Sequence, residues 1–454
     1  MEEQTIAAIS TAYGESGIGI VRMSGPRSGE IAQKIFKGRE LTPRYMHYGK
    51  IVDPASGSVL DEVLCVYMKA PNTYTGEDVV EIQCHGSLLS LKNILALCIE
   101  QGAELADKGE FTKRAFLNGR MDLSQAEAVI DLIKAKTERS FDAALDQMEG
   151  KLSKSVRAIR DELKELLIQI TVNMDYPDED IEEITYGKIE ESLLSIGDKL
   201  SKLLKSTPEG KILREGLAIT IVGKPNVGKS SLMNIFLNED RSIVTDIPGT
   251  TRDTIEEQAS FSGIPVRLTD TAGIHDSSDK VEAIGIERSK AAFASADLLL
   301  LILDASRPLD SEDELLLNEA ADKNCIVVLN KQDLKAEIYK EDILSKLENA
   351  RIVKTSFIND EGIDILKKTI EEMVGLGNVK RENDVLVTNV RHADLLKKAK
   401  EETDEALLAA NSRDAIDFIE INVKAAFDYL GEITGDTASG EIIDEIFSRF
   451  CLGK

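Results

Sequence analysis

Gly223-Lys224-Pro225-Asn226-Val227-Gly228-Lys229-Ser230 is the stretch that decides the fold. It matches G-x-x-x-x-G-K-[ST], in which glycine-sized gaps let successive backbone N–H groups curl around phosphate oxygens. Lys229 can reach the β and γ phosphates from such a loop, and Ser230 can offer a hydroxyl to magnesium. The apolar run Leu217 to Val222 ahead of it reads as a buried strand, and Ser231 to Asn238 behind it as a helix. Further strands are expected at Val266 to Thr269, Leu298 to Leu303 and Ile326 to Leu329, alternating with helices as in a doubly wound parallel sheet. Asp270-Thr271-Ala272-Gly273 closes the second strand, placing a carboxylate for the magnesium shell and a glycine N–H for the γ-phosphate. Asn330-Lys331-Gln332-Asp333 closes the last. Asp333 can accept hydrogen bonds from the ring N–H and exocyclic amine of guanine, while Asn330 braces the loop. Motifs of these kinds in this order, each at the carboxyl end of a strand, predict a GTPase.

Thr355-Ser356-Phe357 lies where a second base-contacting loop is expected, although it departs from the common Ser-Ala pattern. Gly249-Thr250-Thr251-Arg252-Asp253 lies where a switch threonine would close over magnesium and the γ-phosphate; Thr251 is the candidate and Thr250 the alternative. Ile274 stands where many regulatory GTPases place a glutamine, and an aliphatic chain cannot orient the attacking water. Water must be positioned from elsewhere.

The whole chain has 454 residues, length for roughly three domains of about 150 residues each. Apolar residues make up 42% and charged residues 30%, which excludes wholesale disorder and a membrane bundle. The acidic excess, 81 minus 55 or 26, excludes broad electrostatic coating of nucleic acid, so any RNA contact must be focal or shared with a partner. The start Met1-Glu2-Glu3-Gln4 has no signal-peptide character, and the aliphatic run Leu298 to Leu303 is too short for a bilayer. A cytoplasmic protein with no membrane partner is expected. Cys65, Cys84, Cys98 and Cys325 sit in apolar surroundings and read as core; no spacing suggests a disulfide framework or a zinc site. Cys451 is different, lying in the tail Phe450-Cys451-Leu452-Gly453-Lys454, whose ending does not suit prenylation.

Around the phosphate loop the chain divides into an α+β segment (1–118), a helical segment (119–216), the α/β segment (217–379) and a second helical segment (380–454). The first carries strand patterns at Ile18 to Met23, Tyr48 to Val52, Val63 to Met68 and Val79 to Gln83, then a helix over Leu88 to Gln101. From Ser124, a plausible N-cap, apolar residues run at helical spacing to Ile170, long enough for a bundle or coiled-coil arm. The acidic cluster Asp178 to Glu183 reads as a solvated loop. After 380, helices are expected over Asp394 to Ala410, Ala415 to Leu430 and Ser439 to Phe450. The simplest architecture is a multidomain α+β and α/β chain whose GTPase is inserted into a helical domain.

The stretches Gly249 to Asp253, Ile284-Gly285-Ile286-Glu287-Arg288, Phe111 with Arg114-Ala115-Phe116-Leu117-Asn118, Thr75-Gly76-Glu77-Asp78 and the tail Phe450 to Lys454 make the chain resemble, from end to end, the MnmE (TrmE) family of bacterial and organellar tRNA uridine-modification GTPases. The resemblance implies GTP contacts from Asn226, Val227, Gly228, Lys229, Ser230 and Ser231, from Thr245, Asp246, Ile247, Pro248, Gly249, Thr250 and Thr251, from Asp270, Thr271, Ala272 and Gly273, and from Asn330, Lys331 and Asp333. It implies magnesium (Mg2+) on Ser230 and Thr251, and a potassium ion (K+) among Asn226, Thr245, Ile247 and Thr250, supplying the charge that an arginine finger would bring. Glu282 matches the family's water-positioning glutamate.

The N-terminal segment resembles the family's folate-binding and dimerisation domain. Arg22, Glu81 and Arg120 would then line a pocket for a one-carbon tetrahydrofolate, the 5,10-methylene form, with Lys454 reaching it from the tail. Guanidinium groups suit the glutamate carboxylates of folate, and a carboxylate suits the donors of the pterin ring. Cys451 is either a nucleophile or proton donor on the uridine ring or a packing residue. His85 is either a catalytic base or a satisfied structural histidine. The resemblance also implies a homodimer and a flavin-containing partner of the MnmG (GidA) family, acting on tRNA. The rival expectation is a regulatory switch GTPase of ribosome or RNA assembly, whose flanks only bind RNA or protein.

Overall fold

Alternating apolar residues give a strand one face to bury and continuous apolar runs give it two, and the chain carries a sheet of each kind in its two units. A computed structural model describes residues 4–12, 14–175, 185–238, 256–261, 263–270, 293, 296–321, 323–347, 350–374 and 385–454. One unit comprises 1–130, 147–179 and 420–454, the other 131–146 and 180–419.

The first unit holds a seven-stranded sheet in the order β3-β4-β5-β6-β2-β1-β7. Its strands are β1 (Ile6–Ile9), β2 (Ser16–Ser24), β3 (Phe36–Gly38), β4 (Met46–Val52), β5 (Val59–Met68), β6 (Val79–Gly86) and β7 (Glu104–Leu105). All pairs are antiparallel except β1 with β7. On one face Val21, Met23, Val80, Ile82 and Cys84 pack under helices α1 (Ser28–Ile35) and α2 (Leu88–Glu100). The alternate residues Arg22, Glu81, Gln83 and His85 therefore point to the opposite face. At the β1 end of that face Ile6, Ala8, Ala106 and Phe111 form a second, small core with Tyr74 beside it. Phe111 belongs to α3 (Glu110–Leu117).

The expected arm from Ser124 is instead broken into α4 (Leu123–Lys134), α5 (Glu138–Met148) and α6 (Lys151–Asp175). Gly150 takes φ 81, a left-handed conformation that ends the helix before it. Nor is Ser124 the cap. Asp122 Oδ1 accepts from Gln125 N at 3.0 Å while Gln125 Oε1 accepts from Asp122 N at 3.0 Å, and the buried Ser124 hydroxyl instead meets Ser153 Oγ at 2.8 Å.

The second unit holds a six-stranded sheet in the order β13-β12-β11-β8-β10-β9. The strands are β8 (Leu217–Val222), β9 (Glu256–Phe261), β10 (Ile264–Asp270), β11 (Leu298–Asp304), β12 (Cys325–Asn330) and β13 (Arg351–Lys354). Only the edge strand β9 is antiparallel to its neighbour. Leu298, Leu300 and Ile302 pack in one core with α9 (Lys229–Asn238) and the helix Ile363–Met373, whereas Leu299, Leu301 and Leu303 pack in another with Ser311–Glu319 and Lys340–Leu344. This is the doubly wound arrangement expected from the sequence. The helices α7 (Tyr186–Leu204) and α8 (Thr207–Glu215), ahead of β8, and the long helix Val390–Ser412 belong to the same unit. No helix among the described residues is long and apolar enough to cross a membrane.

Candidate functional site

In the second unit the chain leaves β8 toward one side of the sheet and β11 toward the other, so a crevice opens between their carboxyl ends. Gly223 to Gly228 fills it. Gly223 takes φ +149, and a Cβ there would stand 2.4 Å from Ile302 O of β11. Gly228 takes φ +112, and a Cβ there would meet Asn330 Nδ2 at 2.4 Å and Phe357 Cδ2 at 2.9 Å. Both glycines are thus required by close approach as well as by backbone angle. Lys229 Nζ donates to Gly223 O at 2.6 Å and Lys224 O at 2.8 Å, so its ammonium lies across the loop's opening turn. Ser230 and Asn226 are exposed, the latter with φ 63. Val227 is buried, and Ser231 is exposed in the first turn of α9.

Asn330 ties the phosphate loop to the base loops. Its Nδ2 donates to Val227 O at 2.8 Å, and its Oδ1 accepts from Phe357 N at 3.2 Å and Thr355 Oγ1 at 3.3 Å. Asp333 Oδ1 accepts from Ser356 Oγ at 2.7 Å. The stretch Thr355 to Phe357 therefore stands against Asn330 and Asp333, despite its departure from the Ser-Ala pattern. Sequence reasoning missed Asp304, which lies beside Asn330 and whose Oδ2 accepts from Lys331 Nζ at 2.7 Å. Burial raises the Asp304 carboxyl, but hydrogen bonds from Lys331 and Ser306 hold it below the usual carboxylate range. Its signal was available: a polar residue closes this strand just as Asp270 and Asn330 close theirs. Asp270 ends β10. Thr245 to Thr251, Arg252, Asp253, Thr271, Ala272, Gly273, Ile274, Glu282, Ile284 to Arg288 and the acidic cluster 178–183 lie outside the described residues.

The first unit gathers a different set. Arg22 and Glu81 are register partners on β2 and β6, with Arg22 Nε to Glu81 Oε1 at 2.9 Å and Nη2 at 2.8 Å. The Arg22 guanidinium carbon stands 5.8 Å from the centre of the Phe111 ring and 5.9 Å from that of Tyr74. Burial pushes the Tyr74 phenol up, opposed by its hydrogen bond with Thr112 and by the charges of Arg22 and Arg120, the latter an exposed residue. The tail arrives here too. Phe111 N donates to Lys454 O at 3.2 Å, Ser10 Oγ to Gly453 O at 3.1 Å, and Gly109 N to Cys451 O at 3.4 Å. The Cys451 side chain is exposed, while the other cysteines are buried. Burial pushes the thiols of Cys65, Cys98 and Cys325 up to about 12, which makes them inert at neutral pH.

Beside Phe111, the stretches Thr75 to Asp78 and Arg114 to Asn118 frame this site. Ser24 Oγ donates to Glu77 Oε2 at 2.7 Å, Arg114 Nη1 reaches the same oxygen at 3.1 Å, and Asn118 Nδ2 donates to Thr75 O at 2.8 Å. His85 is neither free nor a core histidine: its ring is 72% exposed while Nδ1 meets Asp61 Oδ1 at 2.6 Å. Ser90 Oγ donates to the other Asp61 oxygen at 2.5 Å. The Asp61 hydrogen bond raises the imidazole.

Comparison with known proteins spans the whole chain. A family model described as the GTP-binding protein TrmE N-terminus matches residues 5–120, and one described as the MnmE helical domain matches 123–451. A tRNA modification GTPase MnmE of Clostridioides difficile (strain 630) is 52% identical over 458 residues, covering 100% of this chain and 99% of that protein. Its counterpart in Alkaliphilus metalliredigens (strain QYMF) is 48% identical over 458 residues, with 100% and 99% covered. Among solved structures, the G domain of the T. maritima FeoB iron transporter aligns with 28% identity over 35% of this chain and 98% of its own, at a TM-score of 0.27. The chain is a GTPase of the tRNA-modifying MnmE family.

Proposed function

We propose that this protein is a homodimeric, potassium-dependent GTP hydrolase that, with a flavin-containing partner of the MnmG family, adds an aminomethyl or carboxymethylaminomethyl group to the 5-position carbon of the tRNA wobble uridine. The observation that carries the finer reading is the gathering of Arg22, Glu81 and Lys454 around Phe111, with Arg120 acting on neighbouring Tyr74. Cations, one carboxylate and aromatic faces are the donor set that a pterin carrying glutamate carboxylates requires. The residues fit the group. A bound 5,10-methylene tetrahydrofolate would supply the methylene carbon, and glycine or ammonium the amine. Glu81 would hold the ring donors, Arg22, Arg120 and Lys454 the carboxylates, and exposed Cys451 would attack or protonate the uridine ring.

In the GTPase the residues fit equally. The Ser230 hydroxyl begins α9 as a hard oxygen ligand for magnesium with Thr251. The exposed Asn226 amide oxygen would hold potassium, together with Thr245, Ile247 and Thr250. Asp333 would read guanine and Glu282 would position the water. The organisation proposed is a folate and dimerisation domain (1–118), a helical domain in two parts (119–216 and 380–454) and the inserted GTPase (217–379), in the cytoplasm. Met46, Tyr48 and Leu64 leave apolar side chains exposed on the sheet face that carries Arg22, and a second copy would cover them.

Nucleoside analysis of wobble uridines in cells lacking the protein is the test. Loss of the modified base, restored by the parent gene, is expected; an unchanged nucleoside profile would refute the reading. GTP turnover should be faster in potassium than in sodium at equal ionic strength, and equal rates would remove the potassium ion from it.

A further inference from the structure

Lys331 has φ 65, a left-handed conformation that L side chains avoid and that persists only where surrounding contacts over-determine it. Two backbone bonds help: Leu334 N donates to Lys331 O at 3.0 Å, and Gln332 N to Thr355 O at 3.1 Å. The side chain is held by Asp304. This carboxylate closes β11 in register with Asn330 of β12, and Ala305 N donates to Asn330 O at 2.9 Å. One Asp304 oxygen takes Lys331 Nζ at 2.7 Å; the other takes Ser306 Oγ at 2.6 Å and Ser306 N at 3.0 Å. With the carboxylate only 11% exposed and the lysine 29%, this pair is shielded more than a surface ion pair, and losing one partner strands the other.

Asp333 follows two residues after Lys331, and the direction of its carboxylate is set by the loop 330–333 together with Ser356. We infer that Asp304 is a positioning residue for guanine recognition, pinning Lys331 in its left-handed conformation and thereby aiming Asp333 at the base. The inference rests on the reading of Asp333 as the guanine acceptor. Asp304 itself touches no base; it acts through the loop.

The test is equilibrium binding of GDP and IDP to the full chain, because hypoxanthine lacks the exocyclic amine that a well-aimed carboxylate accepts. Asp304→Asn is expected to shrink the preference for GDP by on the order of tenfold, the loss of one charge-assisted hydrogen bond. Equal weakening of both nucleotides would mark Asp304 as merely structural and overturn the inference. Lys331→Gly adopts the same backbone angle without strain, so adding Asp304→Asn to it should leave the preference where Lys331→Gly put it. A further tenfold fall in that double variant would overturn the route through Lys331. Asp333→Asn separates the two readings. If it keeps the parental preference, the guanine assignment of Asp333 fails; if it abolishes the preference while Asp304→Asn does not, only the present inference fails. Should Asp304→Asn not fold, Ser306→Ala removes the 2.6 Å bond alone and is expected to shift the preference the same way by a smaller factor. No shift there would equally refute it.

Discussion

Gly453→Ala is the substitution that most sharply divides the two halves of the proposed function. Gly453 takes φ +84, and a Cβ there would stand 2.2 Å from Ile9 O, a strand backbone atom that cannot move aside without unpairing β1. The left-handed angle alone costs an alanine about 1–2 kcal/mol. Against this, the three hydrogen bonds that seat the tail at Ser10, Gly109 and Phe111 are worth ~1 kcal/mol each. The angle alone does not outweigh these bonds, but a 2.2 Å contact with strand backbone cannot be relieved while the tail is seated, so the end beyond Phe450 should leave its seat. Lys454 would then lose a charge-assisted contact to folate worth about 1.5–3 kcal/mol, roughly a ten- to hundredfold weakening of folate affinity. The assay is folate titration by calorimetry beside GTP turnover on the same preparation. Turnover should stay parental, because the phosphate and guanine loops belong to the other unit. Gly453→Asn should fail like alanine: asparagine tolerates the angle but carries the same Cβ. Parental folate affinity in Gly453→Ala would refute the seating of the tail, and rescue by asparagine would show that only the angle matters.

Asp333→Asn should turn nucleotide preference from guanine toward xanthine, whose extra carbonyl needs a donor; an unchanged preference for GTP in competition binding would remove Asp333 from the base site. Glu282→Ala should lower GTP turnover by on the order of a hundredfold with affinity nearly unchanged, whereas weak binding with normal turnover would make it structural. Cys451→Ser should hydrolyse GTP normally yet fail to restore wobble-uridine modification, and full restoration would eliminate a chemical role for the thiol. The His85–Asp61 pair has two signs. The raised imidazole stabilises the fold below its unfolded value and loses this as pH rises through the folded one; the lowered carboxyl stabilises above its unfolded value and loses this on acidification. Asp61→Asn should therefore lower the melting temperature between the carboxylate and imidazole ranges and matter less well above neutrality; a pH-independent effect would contradict this.

What could be read from the sequence divides by the range of the contacts involved. The phosphate loop, Asp270 and Asn330 were legible because each is a short string placed by the strand before it, and long apolar runs such as Leu298 to Leu303 announce a buried parallel strand. The edge strands β9 and β13 were not. Glu256 to Phe261 is mostly polar and β13 has four residues, so neither carries a period that separates strand from loop. The helix breaks before α5 and α6 hid inside a continuous apolar rhythm, and only the second of them is marked, by Gly150 in its left-handed conformation. Asp304 escaped although a polar residue closing the run Leu298 to Leu303 marks its place, because what that carboxylate meets depends on which strand lies beside it. The tail is the extreme case. Ser10 and Gly453 meet across 443 residues of sequence, so no local pattern can encode the seat. What the sequence does hold is the set of conditions for it: a glycine where backbone passes against backbone, and Phe447 and Phe450 packed with Leu123 to anchor the residues before it. Reading those conditions forward requires knowing the sheet edge they serve. That is why the GTPase loops could be read from strings alone, while Arg22, Glu81, Arg120 and Lys454 were expected only through the family resemblance.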